Sequence, residues 1–495
     1  MNSGAFPAPI YSETVLTPCF DEAKAHFLEP LLALHEAHAV MLTDQKILTR
    51  EDARVICTGL AGIDRTAIRA ARYDGTFEDF FFLLEKALTD RIGDEIAGKL
   101  HTARSRNDID ITLYRMVLRQ DLLSFAENLE GLEQELVRLA RANLETVMPA
   151  HTHTQPAQPT TLAHYLSAAI DFLGRDLGRL RAAYATVNQS PLGACAITTT
   201  GFPIDRPATA ALLGFDGLIG NSYGAIACFD YSAEALSMLA TAMLNLGRFN
   251  QDLLLWATQE FSFIRIGDAF VQKSSIMPQK RNPVALEHVR ILASRALSSS
   301  LGAIQSVHNT PMGDINDVED PIQPVLRESF LSASRATRLL TGVIGAISVD
   351  PERLKKLAAG SYLTLTELAD TLVREEGVSF REAHRICGET LKKLGATAEQ
   401  PRPEDIVSAL TAVATARLGR APKTSAARLL TALDPRNFVQ VRTVPGGPAP
   451  SAVTRFLEDA ERALTAQTAW RNDARARLAR ADSERARRTG ELSRA

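Results

Sequence analysis

The chain has 495 residues, of which 45% are hydrophobic and 23% charged, and its formal net charge is -3 at pH 7. This length suffices for two or three domains, and the charge balance gives no basic footprint of a nucleic-acid-binding or membrane-binding protein. No apolar run approaches the roughly 20 residues that span a bilayer, and the N-terminus lacks a basic segment followed by an apolar one, so we expect a cytoplasmic protein.

The cysteines and histidines indicate neither disulfides nor a metal site. The 5 cysteines are scattered without CxxC spacing, and the 10 histidines show no HExxH or similar spacing. Buried thiols in a reducing compartment are therefore expected. We predict no metal and no cofactor.

The first part of the chain has helical periodicity. Apolar residues recur at helical spacing from Phe20 to Leu42, and Thr49, followed by Asp52, is typical of an N-cap with an acid in the first helical turn. Residues 78–88 again have a dense apolar face. These patterns predict a helical N-terminal domain over residues 1–104.

Long helical stretches dominate the middle of the chain, whereas strand signals are almost absent. They predict an all-α fold with a central bundle in residues 105–359. Several stretches are apolar on more than one side, which fits either a large monomeric core or a bundle shared between subunits. The stretches are 109–146, 161–188, 231–258, 284–306 and 324–347.

Two further segments complete the predicted organisation. Residues 360–470 are expected to form a C-terminal helical domain, and residues 471–495 form a tail rich in arginine and alanine. Acidic residues are interleaved with these arginines. We therefore predict a solvated, fraying helix here and not a nucleic-acid-binding arm.

A polar loop over residues 273–283 carries the first candidate chemistry. Ser274 and Ser275 are followed by Lys280 and Asn282, and helix-forming sequence begins at Val284. The free N–H groups and the dipole at a helix N-terminus favour an anion. A polar connection between helices, without chemistry, is the alternative.

Two other stretches place polar side chains in short runs. Residues 101–108 read HTARSRND, and residues 152–159 read THTQPAQP. The hydroxyl, guanidinium and amide of Ser105, Arg106 and Asn107 suit a carboxylate, although a surface helix cap would use similar residues. His153 is a candidate for proton transfer because imidazole titrates near neutral pH.

Taken in this order, the three motifs resemble those of the argininosuccinate lyase family in the fumarase/aspartase superfamily. The resemblance implies a three-domain lyase that eliminates an amine from a small N-succinyl compound and leaves fumarate. It also implies a homotetramer whose central helices form one core and whose active sites are shared between subunits. Ser274 would be the base, and Glu287 would pair with His153.

The implied chemistry determines which residue types are needed. Removing a proton beside a carboxylate creates a dianionic aci-carboxylate, which preorganised donors and positive charge must stabilise. The catalytic candidates are Ser274, His153, Glu287 and Lys280. The substrate-binding candidates are Ser105, Arg106, Asn107, Thr152, Gln155, Ser275, Asn282, Asp314, Glu319 and His35.

The sequence departs from the family pattern mainly where the amine half of the substrate should bind. Leu31 and His35 stand in place of an Asp and a Ser, and Asp314 and Glu319 in place of a Tyr and a Gln. Ala103 replaces a glycine. These changes predict an argininosuccinate-type lyase that acts on another N-succinyl amine, such as ethylenediamine disuccinate; the alternatives are a fumarate hydratase or aspartase, and a non-catalytic relative like the lens crystallins.

Overall fold

The structure is a computed structural model that describes residues 6–360, 362–395 and 401–494. Helices dominate these residues, which confirms the all-α prediction. None of the described helices is both long enough and apolar enough to cross a membrane. The proposed domain boundaries remain predictions.

The N-terminal part is built from short helices packed around the apolar side chains of the third. Thr49 caps the fourth helix as predicted, because its hydroxyl accepts the N–H of Asp52 at 3.1 Å. The helices are α1 (Pro9–Tyr11, continued by a π-helical turn over Ser12–Leu16), α2 (Thr17–His26), α3 (Leu28–Asp44), α4 (Arg50–Ala61), α5 (Arg65–Ala70), α6 (Phe80–Ile92) and α7 (Asp94–Lys99).

The periodic stretch from Phe20 to Leu42 forms two helices instead of one. The break lies at Phe27, between α2 and α3. Pro30 explains it, because proline has no N–H for the carbonyl of His26 and its ring collides with that carbonyl in a continuous helix. Pro30 is instead in the first turn of α3, where the missing N–H costs little.

Long helices form the centre, and their bounds lie within a few residues of the predicted ones. Helix α8 packs on α9 and α14, and α13 packs between α12 and α14. The helices are α8 (Arg106–Arg141), α9 (Leu162–Val187), α10 (Arg206–Leu212), α11 (Ser222–Ala227), α12 (Asp230–Trp256), α13 (Val284–Val307) and α14 (Gln323–Gly345).

The short strands of the described chain pair two by two and support connections between helices. The antiparallel pairs are β1 (Val147–Thr152) with β2 (Gln155–Thr161), β5 (Ile264–Ile266) with β8 (Ile347–Val349), and β6 (Gln272–Lys273) with β7 (Arg281–Asn282). The parallel pair is β3 (Gln189–Ser190) with β4 (Gly217–Leu218). The first and third of the antiparallel pairs carry two of the three motifs.

The C-terminal helices form a smaller core of their own, made mainly by α16 to α19, before a long final helix returns to the bundle. The helices are α15 (Pro351–Ala358), α16 (Leu365–Glu376), α17 (Phe380–Leu394), α18 (Pro403–Leu418), α19 (Ala426–Ala432), α20 (Pro435–Gln440) and α21 (Pro450–Arg494).

The prediction of a solvated, fraying tail is wrong. Residues 471–494 belong to the 45-residue helix α21, which packs on α3, α4, α8 and α9. Arg471 is 7% exposed, and its guanidinium contacts the Glu130 carboxylate at 2.9 Å. Arg485 pairs with Glu36 at 3.0 Å. The arginines are thus paired with acids from other helices.

Candidate active site

A cavity of about 600 Å³ lies where α8 begins. Side chains of α3, α6, the start of α8 and the segment before α14 line it. It brings together part of the predicted substrate-binding set, namely His35, Ser105, Arg106, Asn107, Asp314 and Glu319. One motif therefore meets the amine-side positions in a single cavity.

Asp108 fixes the start of α8. One carboxylate oxygen accepts the N–H of Ser105 at 2.9 Å, and the other accepts the N–H groups of Gly193 and Cys195 at 2.8 and 2.9 Å. The side chain is fully buried, and burial raises the pKa of Asp108 to about 6 despite these donors. Asp108 thus holds the first motif against the loop before α10.

Ala103, just before this helix, has φ 61°. This left-handed region favours glycine, and other residues are strained there by roughly 1–2 kcal/mol. Ala103 occupies the position of the family's glycine. The chain therefore keeps the turn at the motif although the residue has changed.

We expect Asp108→Asn to destabilise the protein. An amide group in this place turns an NH₂ toward backbone N–H donors, and leaving buried groups unpaired costs about 1–3 kcal/mol. Thermal unfolding should shift down by several degrees relative to wild type, whereas Asp459→Asn, at an exposed residue, should not shift it. An unchanged melting temperature would show that Asp108 does not hold the motif.

Carboxyl groups crowd one wall of the cavity. Burial, with a hydrogen bond to Asp314 as the second cause, raises the pKa of Glu319 to about 8, and burial raises the pKa of Asp110 well above its usual range. Behind them, Tyr114 donates to Asp320 at 2.6 Å. At neutral pH this wall holds protons that a cationic ligand could displace.

Arg106 is already paired. Its guanidinium contacts Glu78 at 3.0 Å and Asp79 at 2.7 Å. Asn107 donates to the carbonyl of Ala196 at 3.2 Å, and the Ser105 hydroxyl donates to the Asn107 side-chain oxygen at 2.8 Å. The motif is therefore held in place by its own chain before any ligand arrives.

Sequence reasoning did not assign two residues of the cavity wall. Arg104 lies inside the first motif and is 6% exposed, and Asp110 follows the motif on α8. The available signal was charge in or beside a motif at a helix start. No acidic, His or Cys cluster in residues 6–360, 362–395 or 401–494 could hold a metal ion.

The serine loop is a hairpin tip closed by β6 and β7. The Ser274 hydroxyl oxygen accepts the N–H groups of Ile276 and Met277 at 3.3 and 3.0 Å. Such donors stabilise an oxyanion, as a serine base requires. Arg281 anchors the base of the hairpin through Asp268. Ser275 and Lys280 are exposed, and Asn282 is half-buried.

The second motif occupies the turn between β1 and β2. His153 and Thr154 have φ 52° and 61°, so the backbone turns sharply there. Thr152, His153 and Gln155 are exposed. The ring of His151, on β1, lies 6.0 Å from that of Phe261, which places this hairpin beside the connection after α12.

The motifs lie at opposite ends of the bundle. Ser105 to Asn107 begin α8, whereas the hairpin follows its C-terminus, and a helix of 36 residues is roughly 54 Å long. Glu287, in the first turn of α13, is exposed and makes no ion pair with His153 among the described residues. One chain thus leaves the predicted catalytic residues apart.

Comparisons with known proteins agree with the motifs. Residues 70–298 match a family model described as lyase, and residues 362–440 match one described as argininosuccinate lyase C-terminal. Argininosuccinate lyase 2 of Agrobacterium fabrum is 44% identical over 450 residues, covering 91% of this chain and 89% of the relative.

Solved structures give the same answer. EDDS lyase in complex with formate matches with a TM-score of 0.86 at 35% identity, covering 98% of this chain and 96% of that one. An EDDS lyase variant with bound fumarate also has a TM-score of 0.86 at 35% identity, with coverages of 99% and 97%. The chain therefore belongs to the argininosuccinate lyase family of the fumarase/aspartase superfamily.

Proposed function

We propose that the chain cleaves an N-succinyl amine whose amine half carries a cationic nitrogen. As a member of its family it is an enzyme, a carbon–nitrogen lyase that releases fumarate. The observation that carries the proposal is the cavity in which Ser105 to Asn107 meet the acids Asp314 and Glu319. A succinyl carboxylate and a cationic nitrogen would each find a partner there.

The proposed elimination uses the hairpin tip and the helix behind it. Ser274 would remove the proton beside the carboxylate, with its oxyanion stabilised by the N–H groups of Ile276 and Met277. Lys280, Asn282 and the N-terminus of α13 would stabilise the aci-carboxylate. Ser275 and Thr152 would add neutral donors.

Proton transfer to the departing nitrogen needs a second group. His153 would supply it, oriented and kept basic by the Glu287 carboxylate of another subunit. Gln155 would bind beside it. The exposure of these side chains in the single chain supports this arrangement, because each is free to meet a neighbouring subunit.

We also propose a homotetramer with shared active sites. Large apolar side chains on the bundle helices are exposed, which is unusual for a finished surface and fits burial between subunits. They include Leu244, Ile291, Leu301 and Leu331, at 51%, 59%, 46% and 54% exposure. The roughly 54 Å along α8 likewise supports sites assembled from several chains.

The amine half distinguishes two candidate substrates. The relatives are named argininosuccinate lyase and EDDS lyase. The acidic wall and His35 differ from the family pattern for arginine, and a site that mismatches buried polar groups loses about 1–3 kcal/mol for each. We therefore favour an N-succinyl amine other than argininosuccinate.

We expect argininosuccinate to be a poor substrate. Its kcat/KM, measured from the ultraviolet absorbance of fumarate, should fall below the ordinary enzyme range of about 10⁴ M⁻¹s⁻¹. A panel of N-succinyl amines, including ethylenediamine disuccinate, should contain one that exceeds it. A higher value for argininosuccinate than for every other amine would reverse the choice, and no fumarate from any compound would favour a non-catalytic relative.

A further inference from the structure

Arg104 is a buried cation without an ion-pair partner in the described chain. It is 6% exposed, lines the cavity, and its Nε has no hydrogen-bond partner. The nearby Glu85 carboxylate pairs with His101 at 3.2 Å, and Asp108 accepts the three backbone N–H groups described above. A buried charge in this state costs free energy unless something else compensates it.

The neighbour of Arg104 is His35, which is 2% exposed and also lines the cavity. Arg104 Nη1 lies 2.7 Å from His35 Nδ1. Because a guanidinium has only donors, Nδ1 must accept, and the proton of the neutral ring sits on Nε2. Among the described residues Nε2 has no hydrogen-bond partner.

Both groups keep these states at neutral pH. Burial, followed by the charge of Arg104, holds the pKa of His35 well below its usual value, so the ring stays neutral. Burial lowers the pKa of Arg104 to about 10, so the guanidinium stays charged. The pair therefore offers the cavity one positive charge and N–H donors only.

We propose that Arg104 and His35 form an anion-binding subsite that takes a carboxylate on the amine half of the substrate. This inference rests on the proposed function. It gives the cavity two ends: donors at Arg104 and His35, and carboxyl groups at Asp110, Asp314 and Glu319. His35 stands where the family resemblance expects a serine, so the subsite belongs to this chain's own amine-side changes.

The test is isothermal titration calorimetry of full-length enzyme with amines that differ by one carboxylate. The pairs are arginine and agmatine, ornithine and putrescine, and 2,3-diaminopropionate and ethylenediamine, each titrated with saturating succinate to occupy the fumarate-side donors. In at least one pair the carboxylated member should bind about 10-fold or more tightly, as expected for charge-assisted hydrogen bonds. Equal affinities in every pair, or no binding, would overturn the subsite.

Variants locate the preference. Arg104→Met and His35→Phe should each reduce it to about twofold or less, Arg104→Lys should keep part of it, and Arg462→Met, at an arginine with a 70% exposed side chain, should keep all of it. A folded His35→Phe or Arg104→Met protein with the full preference contradicts the proposal. If Arg104→Met does not fold, His35→Phe carries the test. A preference in calorimetry without fumarate release would refute the proposed function and leave the subsite standing.

Discussion

Replacing Ser274 by alanine should reduce fumarate release at least about 100-fold, because removing a proton-transfer group usually costs 10²–10⁴-fold. The protein should stay folded. The only hydrogen bonds lost are those from the N–H groups of Ile276 and Met277, which lie in an exposed loop and can bond to water. The measurement is kcat on the best substrate of the panel, with melting temperature recorded beside it.

Ser408→Ala is the matched control, because Ser408 is exposed on α18 in the separate C-terminal core. It should retain wild-type activity. If Ser274→Ala keeps more than about a tenth of the wild-type rate, Ser274 is not the base. Loss of both activity and melting temperature would mean instead that the loop was disrupted.

Two inactive variants should restore activity when their subunits are mixed. Asn107 and Ser274 are on motifs at opposite ends of the bundle, so a shared site would draw them from different chains. After subunit exchange between Asn107→Ala and Ser274→Ala, random association leaves about one quarter of the sites with both wild-type residues. We expect a corresponding recovery of fumarate release.

The control pair is Ser274→Ala with Lys280→Ala. Both residues lie on one hairpin tip, so every mixed site retains a defect and no recovery should follow. Subunit exchange is verified by mass spectrometry of the mixed oligomers. Absence of recovery in the first mixture, despite exchange, would contradict shared sites, and a monomer in solution would contradict the homotetramer.

Local patterns explain why the helices could be predicted. The long stretches after residue 105 repeat apolar side chains with the helical period over many turns, and Thr49 with Asp52 marks a helix start within four residues. Errors arose where a single residue or a distant partner decides. Pro30 breaks a periodic stretch, and the arginines of α21 look solvated only when Glu130 and Glu36, far away in sequence, are left out.

The sequence by itself determined the all-α class, the order of the helices and the three motifs, because these depend on periodicity, caps and residue types close together in the chain. Only the tertiary structure decided that His35 meets Arg104, that Asp108 holds the loop at Gly193, and that α21 packs along the bundle. Such contacts depend on how helices pack, and no local pattern encodes which distant residues a packed helix will meet.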